Sequence, residues 1–410
     1  MHGNRKPDRR LTPRPLPAHL TSAITLWLSS RAALASLRSE WQPSSGAGRR
    51  LCKLVAEIDR CGRDKVAAAL DGEIARRAET WLAGLESYRG HPFRRCRQKA
   101  PVLWQAGTTR LLDYGRSRDG PIVMVVPSLI NRFHVLDLLP EHSFLRHLAK
   151  AGLRPVVVDW DAPGEAERHF RLSEYVTERL EAAFAAAQRI APGPIGIIGY
   201  CMGGLLALAL ALRRQHDTGC LALLATPWNF YAESGKPASL AHAIADILPA
   251  TCSPDGTVPV DVIQTLFFVL DPFAAERKFI RFASLAEESP AARSFVALED
   301  WVNDGVPLPL GVARECMRSW YGDNDPGRGL WRVAGQLVDP KLLRRPVLVV
   351  VPSRDRIVPP SSAEPLAVET GATVLRPRLG HVGMMSAARA PALLWTPIAE
   401  WLRTRLRKAR

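Results

Sequence analysis

The sequence lacks the long apolar run that a membrane-spanning helix requires. The apolar stretch at residues 20–28 is broken off by Ser29, Ser30 and Arg31. It is therefore far shorter than the roughly 20 residues that cross a bilayer. A basic segment followed by an apolar one also resembles a secretory signal, but the interruption argues against that interpretation. We expect an amphipathic helix here, packed on the protein or lying on a lipid-like surface.

Cysteine spacing of the kind that forms metal sites or disulfide frameworks is also absent. No two cysteines stand in a C-x-x-C pair, and no Cys/His cluster has metal-ligand spacing. An odd number of widely spaced thiols favours reduced cysteines in a cytoplasmic protein. We therefore expect no metal site. The seven positions are Cys52, Cys61, Cys96, Cys201, Cys220, Cys252 and Cys316.

Acidic residues are fewer than basic ones. The 410 residues include 55 Lys and Arg against 40 Asp and Glu, which gives a net charge of +15. A basic surface favours anionic partners, such as nucleic acid, anionic lipid or a phosphate-bearing small molecule. Because neither a zinc-finger spacing nor an aromatic–basic RNA signature is present, we expect no nucleic-acid partner.

Short, β-branched apolar runs alternate with helix-like segments over most of the chain. This alternation is typical of βαβ units and predicts a mainly parallel sheet flanked by helices. The expected strands lie at residues 120–127, 153–158, 195–198, 221–225, 347–351 and, more weakly, 373–375. The clearest expected helices lie at residues 65–85, 173–189 and 205–213.

The alternation also predicts how the chain is divided. Residues 1–94 are expected to form a polar tail and a helical extension, and residues 95–226 with 339–410 to form the α/β core. Between the two parts of the core, residues 227–338 contain many aromatic residues and few strand-like runs. This segment is expected to form a mostly helical cap or lid inserted in the core.

The segment 194–210 has the pattern strand, G-x-C-x-G, helix. A nucleophile on a sharp strand-to-helix turn has this pattern, because bulky neighbours would clash there and Gly199 and Gly203 would not. The helix that follows Cys201 would favour its thiolate, and the backbone N–H of Met202 would stabilise an oxyanion. The alternative is a glycine-rich turn that carries a buried structural cysteine.

Two residues further along the chain have the order of a catalytic acid and base. In α/β hydrolases the acid and the His follow the nucleophile in that order. Asp355 follows the expected strand 347–351, and His381 stands between Gly380 and a valine after the weak strand 373–375. The predicted triad is Cys201, His381 and Asp355, in which Asp355 orients the imidazole. The alternatives are a turn-capping role for Asp355 and a surface loop for His381.

A second oxyanion donor is expected in the loop after an early strand. The segment 126–132 follows the expected strand 120–127, and the backbone N–H groups of Ser128 and Leu129 are the candidates. An ordinary strand-to-helix loop is the alternative.

Taken together, these segments resemble the polyhydroxyalkanoate synthase family, which has the α/β-hydrolase fold. The resemblance extends from about residue 111 to residue 386, and its most specific parts are the cysteine turn and the segment 127–138. The matching segments are LLDY at 111–114, PSLINRFHVLDL at 127–138, VDWDAP at 158–163, LSEYV at 172–176, GYCMGG at 199–204, LEDW at 298–301, WYGDN at 320–324, VD at 338–339, DRIVPPSS at 355–362 and GHVG at 380–383.

The resemblance implies polymerisation of 3-hydroxyacyl-coenzyme A into a polyester with release of coenzyme A. A coenzyme A thioester would then be the substrate, and no other cofactor is implied. The implied partners are 3-hydroxyacyl-coenzyme A, the polyester granule surface, and either a second copy of the chain or an accessory synthase subunit. The implied location is the cytoplasm, in association with the granule.

Two other functions remain open from the sequence. A thioesterase or a depolymerase-like esterase could use the same fold and the same three residues, although hydrolysis alone does not require Cys in place of Ser. A non-enzymatic granule-associated protein could also retain the fold, although it would not need the ordered Cys, Asp and His.

Overall fold

The computed structural model describes residue 10 and residues 13–37, 46–95, 100–115, 119–191, 193–232 and 238–408. Most of the predicted polar tail and Cys96 lie outside the described residues. By their contacts the residues form two compact units. Unit 1 contains Met1–Phe93 and Gln264–Asn303, and unit 2 contains Arg94–Ile263 and Asp304–Arg410.

An eight-stranded sheet forms the centre of unit 2. Its strands in chain order are β1 (Val102–Ala106), β2 (Thr109–Asp113), β3 (Ile122–Val126), β4 (Arg154–Asp159), β5 (Ile195–Tyr200), β6 (Thr218–Leu224), β7 (Val347–Val350) and β8 (Thr373–Leu375). In space they follow the order β1-β2-β4-β3-β5-β6-β7-β8. The pairs β1–β2 and β2–β4 are antiparallel, and the remaining pairs are parallel.

The parallel strands are apolar, as expected for strands at the centre of a covered sheet. Every residue of β3, β4, β5, β6 and β7 is buried. Strands covered on both faces are expected to read as continuous apolar runs rather than as alternating patterns. Because these strands run in one direction, their carboxyl ends meet at one edge of the sheet, where ligand sites of open α/β sheets lie.

The predicted mainly parallel α/β sheet is confirmed. All six expected runs contain a strand, with boundaries that differ by at most three residues from those predicted. The hairpin of β1 and β2, which extends the sheet at its antiparallel edge, was not among the predicted strands.

Helices connect and cover the strands of unit 2. In chain order, the helices of the predicted core are Phe144–Lys150, Leu172–Glu174, Glu181–Ile190, Met202–Arg213, Pro360–Thr370, Gly383–Ser386 and Thr396–Lys408. A π-helical turn at Tyr175–Leu180 joins Leu172–Glu174 to Glu181–Ile190, so the helix expected at 173–189 is continuous. The helix Met202–Arg213 is hereafter αN, and Thr396–Lys408 is αC.

The predicted insertion is mostly helical, as expected. Its helices are Ala238–Ile247, Val260–Phe268, Ala274–Ala283, Pro290–Asn303 and Leu310–Glu315, followed by the π-helical turn Cys316–Gly322. Residues 264–303 of this insertion belong to unit 1, and its other described residues belong to unit 2. The role of residues 227–338 as a lid stays a prediction.

Unit 1 consists of helices with a common apolar core. The N-terminal extension forms the helices Leu16–Ser36, Gly46–Cys61 and Arg63–Gly90, which confirms its predicted helical character. These are joined by the helices Ala274–Ala283 and Pro290–Asn303. The core cluster is made of Ala23, Trp81, Leu85, Tyr88, Phe279, Phe282, Ala292 and Val296. Among the described residues, no helix is both long enough and apolar enough to span a membrane.

Candidate active site

Cys201 lies at the turn between β5 and αN. Its backbone has φ 55° and ψ −127°, a conformation that residues other than glycine rarely adopt. The N–H of Cys201 donates to the carbonyl of Leu224 at the end of the neighbouring strand, with an N···O distance of 2.9 Å. This hydrogen bond ties the turn to β6. The strained residue of the turn is the cysteine of the G-x-C-x-G pattern.

The two glycines of the pattern are required because the backbone packs closely around them. A Cβ atom on Gly203 would lie 2.3 Å from the carbonyl oxygen of Val126 and 2.4 Å from that of Pro127. A Cβ atom on Gly199 would lie 2.4 Å from the Cα atom of Gly204. The start of αN is therefore in direct contact with the end of β3, immediately before Ser128.

Asp355 and His381 form a buried pair. The Nδ1 atom of His381 lies 2.7 Å from Oδ2 of Asp355, within hydrogen-bond distance. Asp355 is 5% exposed and His381 is 8% exposed. Asp355 belongs to the loop after β7 and His381 to the loop after β8, so the carboxyl ends of two adjacent parallel strands bring them together.

The other oxygen of Asp355 holds the loop in shape. Oδ1 accepts hydrogen bonds from the N–H groups of Ile357 and Val358, at 2.8 and 2.9 Å. The capping role considered from the sequence is therefore present, and it coexists with the bond to His381. One carboxylate both fixes its own turn and orients the imidazole.

Cys201 affects the pKa of the same imidazole. Burial alone would lower the pKa of His381, but the negative charge of Cys201, hydrogen bonding to Asp355 and to Cys201, and the charge of Asp355 raise it to about 10. The structure thus brings the three predicted residues together, with His381 between a sulfur and a carboxylate. A sulfur and a carboxylate on either side of one imidazole is the arrangement of residues that a Cys–His nucleophilic pair requires.

Tyr200 supports the imidazole from one side. Its ring stacks on that of His381, with centroids 5.3 Å apart and an interplanar angle of 27°. Its hydroxyl donates to the backbone carbonyl of His381 at 3.3 Å. Burial, followed by the charges of Cys201 and Asp355, raises the pKa of this hydroxyl well above its usual value, so Tyr200 remains a neutral donor.

Two other cysteines have surroundings that do not favour a thiolate. Cys220 on β6 is fully buried, and burial raises the pKa of its thiol to about 12. Burial likewise raises the pKa of Cys316, with a further contribution from Glu315. Cys201 is partly exposed, and is the cysteine that adjoins a His–Asp pair.

The predicted oxyanion residues lie where the turn meets β3. Met202 is the first residue of αN, a position whose N–H has no acceptor within the helix. Ser128 and Leu129 follow β3, and the Ser128 hydroxyl accepts from the N–H of Ile130 at 3.2 Å. The indole of Trp160 donates to the carbonyl of Pro127 at 3.0 Å, which fixes the start of this loop. The assignment of the N–H groups of Met202, Ser128 and Leu129 as oxyanion donors stays a prediction.

Ion pairs that were not predicted from the sequence hold this loop in place. The guanidinium of Arg132 lies 2.6 Å from Oδ1 of Asp161 and 3.3 Å from Oδ2 of Asp304. A second contact holds the same loop within unit 2, because Asn131 forms an isolated β-bridge with Gly305. The motif around Arg132 was recognisable in the sequence, but the two carboxylates that it contacts are distant along the chain.

Aromatic residues of the predicted insertion form a cluster around Phe230. Phe230 stacks on Trp320, with centroids 5.8 Å apart, and contacts the ring of Tyr321 edge-on at 4.9 Å. Tyr321 is 45% exposed as a residue, yet desolvation of its hydroxyl and the charges of Cys201 and Cys316 raise the pKa of that group. One member of this aromatic cluster, Tyr321, is therefore close enough to the candidate nucleophile for its hydroxyl to feel the charge of Cys201.

Among the described residues, no group of three or more His, Cys, Asp or Glu side chains is arranged to hold a metal ion. The side chains that carry the candidate chemistry are those of Cys201, His381 and Asp355.

Comparison with known proteins identifies a fold family and a set of relatives. The profile of a family described as alpha/beta hydrolase fold matches residues 121–386. The chain is 26% identical over 313 residues to the poly(3-hydroxyalkanoate) polymerase subunit PhaC of Haloferax mediterranei, which covers 74% of this chain and 63% of the relative. It is 26% identical over 288 residues to the same subunit of Haloarcula marismortui, covering 68% of this chain and 60% of the relative.

A shorter relative is matched over more of its length. The PhaC subunit of Allochromatium vinosum is 25% identical over 308 residues, covering 72% of this chain and 85% of the relative. In contrast, the chain spans less than two thirds of the length of the Haloferax and Haloarcula subunits. The resemblance to polyhydroxyalkanoate synthases that the motifs indicated is confirmed as a similarity of sequence.

Proposed function

This chain belongs to the alpha/beta hydrolase fold family, and from that premise we propose that it is an acyltransferase that polymerises 3-hydroxyacyl-coenzyme A. The acyl group would be carried as a thioester on Cys201, and coenzyme A would be released. The similarity to poly(3-hydroxyalkanoate) polymerase subunits supports the reaction class. The observation that carries the proposal is the buried pair of His381 and Asp355 beside a cysteine on a strained turn.

In the first step, the Cys201 sulfur attacks the thioester carbonyl of the substrate. The carbon–sulfur bond to coenzyme A breaks, and the leaving sulfur takes a proton from the imidazolium of His381. Asp355 holds the Nδ1–H side of the ring, so that Nε2 is the nitrogen available for proton transfer. Free coenzyme A and an acyl thioester on Cys201 are the products of this step.

In the second step, the hydroxyl of a further 3-hydroxyacyl unit attacks the thioester carbonyl held on Cys201. Its proton passes to His381, an ester bond forms, and the bond from the attacked carbonyl to the Cys201 sulfur breaks, which restores the thiolate of Cys201 and the imidazolium of His381. A thioester intermediate keeps the acyl group activated, which suits transfer to an alcohol. The N–H groups of Met202 and of Ser128 or Leu129 would stabilise the oxyanion in both steps.

The proposed partners follow from this reaction. They are 3-hydroxyacyl-coenzyme A, the surface of the growing polyester granule, and a second copy of the chain or an accessory synthase subunit. The proposed location is the cytoplasm, in association with the granule. The rings of Phe230 and Tyr321, which are at least partly exposed, would contact the acyl chain.

The test is to mix the purified protein with 3-hydroxybutyryl-coenzyme A and to analyse both protein and product. We expect release of coenzyme A, an acyl adduct on Cys201 by mass spectrometry, and insoluble polymer or ester-linked oligomer. Cys201→Ala should abolish the adduct, whereas Cys220→Ala should retain it, because Cys220 is fully buried.

The product distinguishes the proposed reaction from its rivals. Free 3-hydroxybutyrate without oligomer would identify a thioesterase. Acylation of the Cys201→Ala protein would contradict the assigned nucleophile. Cells in which the Cys201→Ala protein replaces the parent without loss of polymer formation would indicate a non-enzymatic, granule-associated role.

A further inference from the structure

Two loops that carry the candidate acid and base also carry exposed arginines. Arg354 and Arg356 flank Asp355, and Arg378 precedes His381 by three residues; all three arginines are exposed. The loops lie side by side, because the N–H of Arg354 donates to the carbonyl of Leu379 at 3.0 Å. Three positive side chains thus emerge at the edge of the sheet where Asp355 and His381 are buried.

Two carboxylates in the same part of the chain, those of Asp355 and Glu364, have other partners. The carboxylate of Asp355 accepts from His381 through one oxygen and from two backbone N–H groups through the other. Glu364 pairs with the neighbouring Arg376 at 3.3 Å. Within the described part of the chain, Arg354, Arg356 and Arg378 form no ion pair. Mutual repulsion among such like charges would be relieved by a bound anion.

We propose that Arg354, Arg356 and Arg378 bind the phosphate groups of the coenzyme A moiety. This inference rests on the proposed function, which supplies a substrate whose thioester end must reach Cys201. Guanidinium groups match phosphate oxygens in a bidentate geometry. The pantetheine arm separates the phosphates from the thioester, so the phosphates can lie on exposed arginines while the thioester carbonyl is attacked inside the site.

The arginines adjoin the chemistry without taking part in it. Asp355 and His381 on the same two loops are buried, whereas the three arginines are exposed to solvent. Removing their charges should therefore weaken binding of the phosphorylated part of the substrate and leave the chemical step unchanged. Such a change raises KM and leaves kcat alone.

The experiment compares two thioesters that share an acyl group. The variant Arg354→Ala/Arg356→Ala/Arg378→Ala is assayed with 3-hydroxybutyryl-coenzyme A and with 3-hydroxybutyryl-pantetheine, which carries no phosphate. We expect KM for the coenzyme A thioester to rise about tenfold or more, which corresponds to the loss of one charged contact. KM for the pantetheine thioester and kcat for both substrates should stay within about twofold of the parent values.

Arg407→Ala is the matched control. Arg407 is exposed on αC, and its neighbour Leu406 approaches Gly196 and Gly219, which lie near the amino ends of β5 and β6. It therefore lies at the opposite end of the strands from the candidate site. Its replacement removes one surface charge and should leave KM for both thioesters unchanged.

Direct binding separates this inference from the proposed function. Titration calorimetry with coenzyme A, dephospho-coenzyme A and pantetheine requires no turnover. The parent should bind coenzyme A, and the triple variant should bind it at least about tenfold more weakly. The dephospho form shows whether the 3′-phosphate or the diphosphate is held.

Two results would overturn the arginine site. One is equal coenzyme A binding by parent and triple variant, and the other is a KM that rises equally for both thioesters. If the parent acylates Cys201 with neither thioester, the proposed function fails, and the binding titration still decides whether the arginines hold phosphates.

Discussion

Tyr200 lies almost parallel to the imidazole of His381 and donates a hydrogen bond to that residue's own backbone carbonyl. Because Tyr200 directly precedes Cys201, one strand end supplies both the sulfur and a support for the ring beside it. The support has two components, the stacked ring and the hydroxyl, which substitution can separate.

Replacing Tyr200 by Phe keeps the ring and removes the hydroxyl. Loss of one neutral hydrogen bond costs about 0.5–1.5 kcal/mol, so we expect the rate of Cys201 acylation to fall by about twofold to tenfold. Tyr200→Ala should reduce it further. Stopped-flow measurement of coenzyme A release tests both, and equal rates for the Phe and Ala variants would show that the ring has no supporting role.

Asp355→Asn should lower the pKa of His381. The parent value of about 10 depends on hydrogen bonding to Asp355 and on its charge, in addition to the charge of Cys201, all acting against burial. The amide retains the shape of the side chain and removes its charge. Titration of the imidazole by NMR, assigned by comparison with a His381→Gln spectrum, should show the decrease, and the acylation rate should fall by about a hundredfold or more.

The same substitution has a consequence for stability against pH. The pKa of His381 is raised in the folded state above the unfolded value of about 6.5. Its charged form therefore stabilises the fold in full below pH 6.5, and this contribution is lost as pH rises through about 10. The parent should lose more of this contribution than Asp355→Asn over that interval. Urea unfolding at pH 6.5, 8 and 9.5 measures the free energy of unfolding of both proteins. If the difference in favour of the parent grew with pH, the raised pKa of His381 would be contradicted.

The central sheet and the cysteine turn could be predicted because their signals are local. The strands β3, β5 and β7 are buried on both faces and read as short apolar runs. The turn is marked by glycines at fixed spacing. Asp355 and His381 could be predicted because each lies in the loop after an expected strand, in the chain order of a catalytic acid and base.

Other features could not be read from the sequence, for physical reasons. The hairpin of β1 and β2 lies at the antiparallel edge, and β1 has no fully buried residue, so its apolar signal is weak. The contacts of Arg132 with Asp304 and of Arg10 with Asp300 join residues far apart in the chain. Periodicity reports local structure and does not contain such pairings. The assignment of residues 264–303 to unit 1 is another consequence of distant packing.

Gly203→Ala should disrupt the cysteine turn. The added methyl group would lie 2.3 Å from the carbonyl oxygen of Val126, and the backbone on both sides must move. Overpacking of this kind costs about 1–3 kcal/mol or more. Gly72→Ala is the matched control, because a Cβ atom there meets nothing within 4 Å and helix propensity improves by up to about 1 kcal/mol. Thermal unfolding should separate the two variants, and equal melting temperatures would argue against the close approach at Gly203.

Arg10 should contribute far more to stability than Arg31, although each forms one ion pair in unit 1. The Arg10 side chain is 5% exposed, lies 2.8 Å from Asp300 and also donates to the carbonyls of Tyr88, His91 and Phe93. The pair of Arg31 with Asp71 is 44% and 55% exposed.

Arg10→Ala leaves buried acceptors without their donor and should destabilise the protein by about 3–5 kcal/mol. Arg31→Ala should cost no more than about 1 kcal/mol. Chemical denaturation of both variants, followed by tryptophan fluorescence, gives the comparison. Similar losses for the two arginines would mean that the buried network does not hold unit 1 together.

Arg132 should act on catalysis by holding the loop that carries the proposed oxyanion donors. Its guanidinium bridges Asp161 and Asp304, and the adjacent Asn131 pairs with Gly305. Burial alone would raise the pKa of Asp161, but hydrogen bonds from Arg132 and from the N–H of Ala162, together with the charge of Arg132, lower it. The bridge is therefore a paired, charged contact directly after the donor segment.

Arg132→Lys keeps the charge but cannot reach both carboxylates with a planar fork. We expect kcat for acylation to fall by about tenfold or more because small displacements of donor groups are costly, while KM changes little. Arg132→Ala should lower kcat further. A merely structural role would instead lower the melting temperature of both variants and leave the kcat of the folded protein intact, so kinetics measured well below the melting temperature decide between the two. The matched control is Arg110→Lys, which alters a neighbouring contact to Asp161 and Asp159 without touching the donor loop and should leave kcat near the parent value.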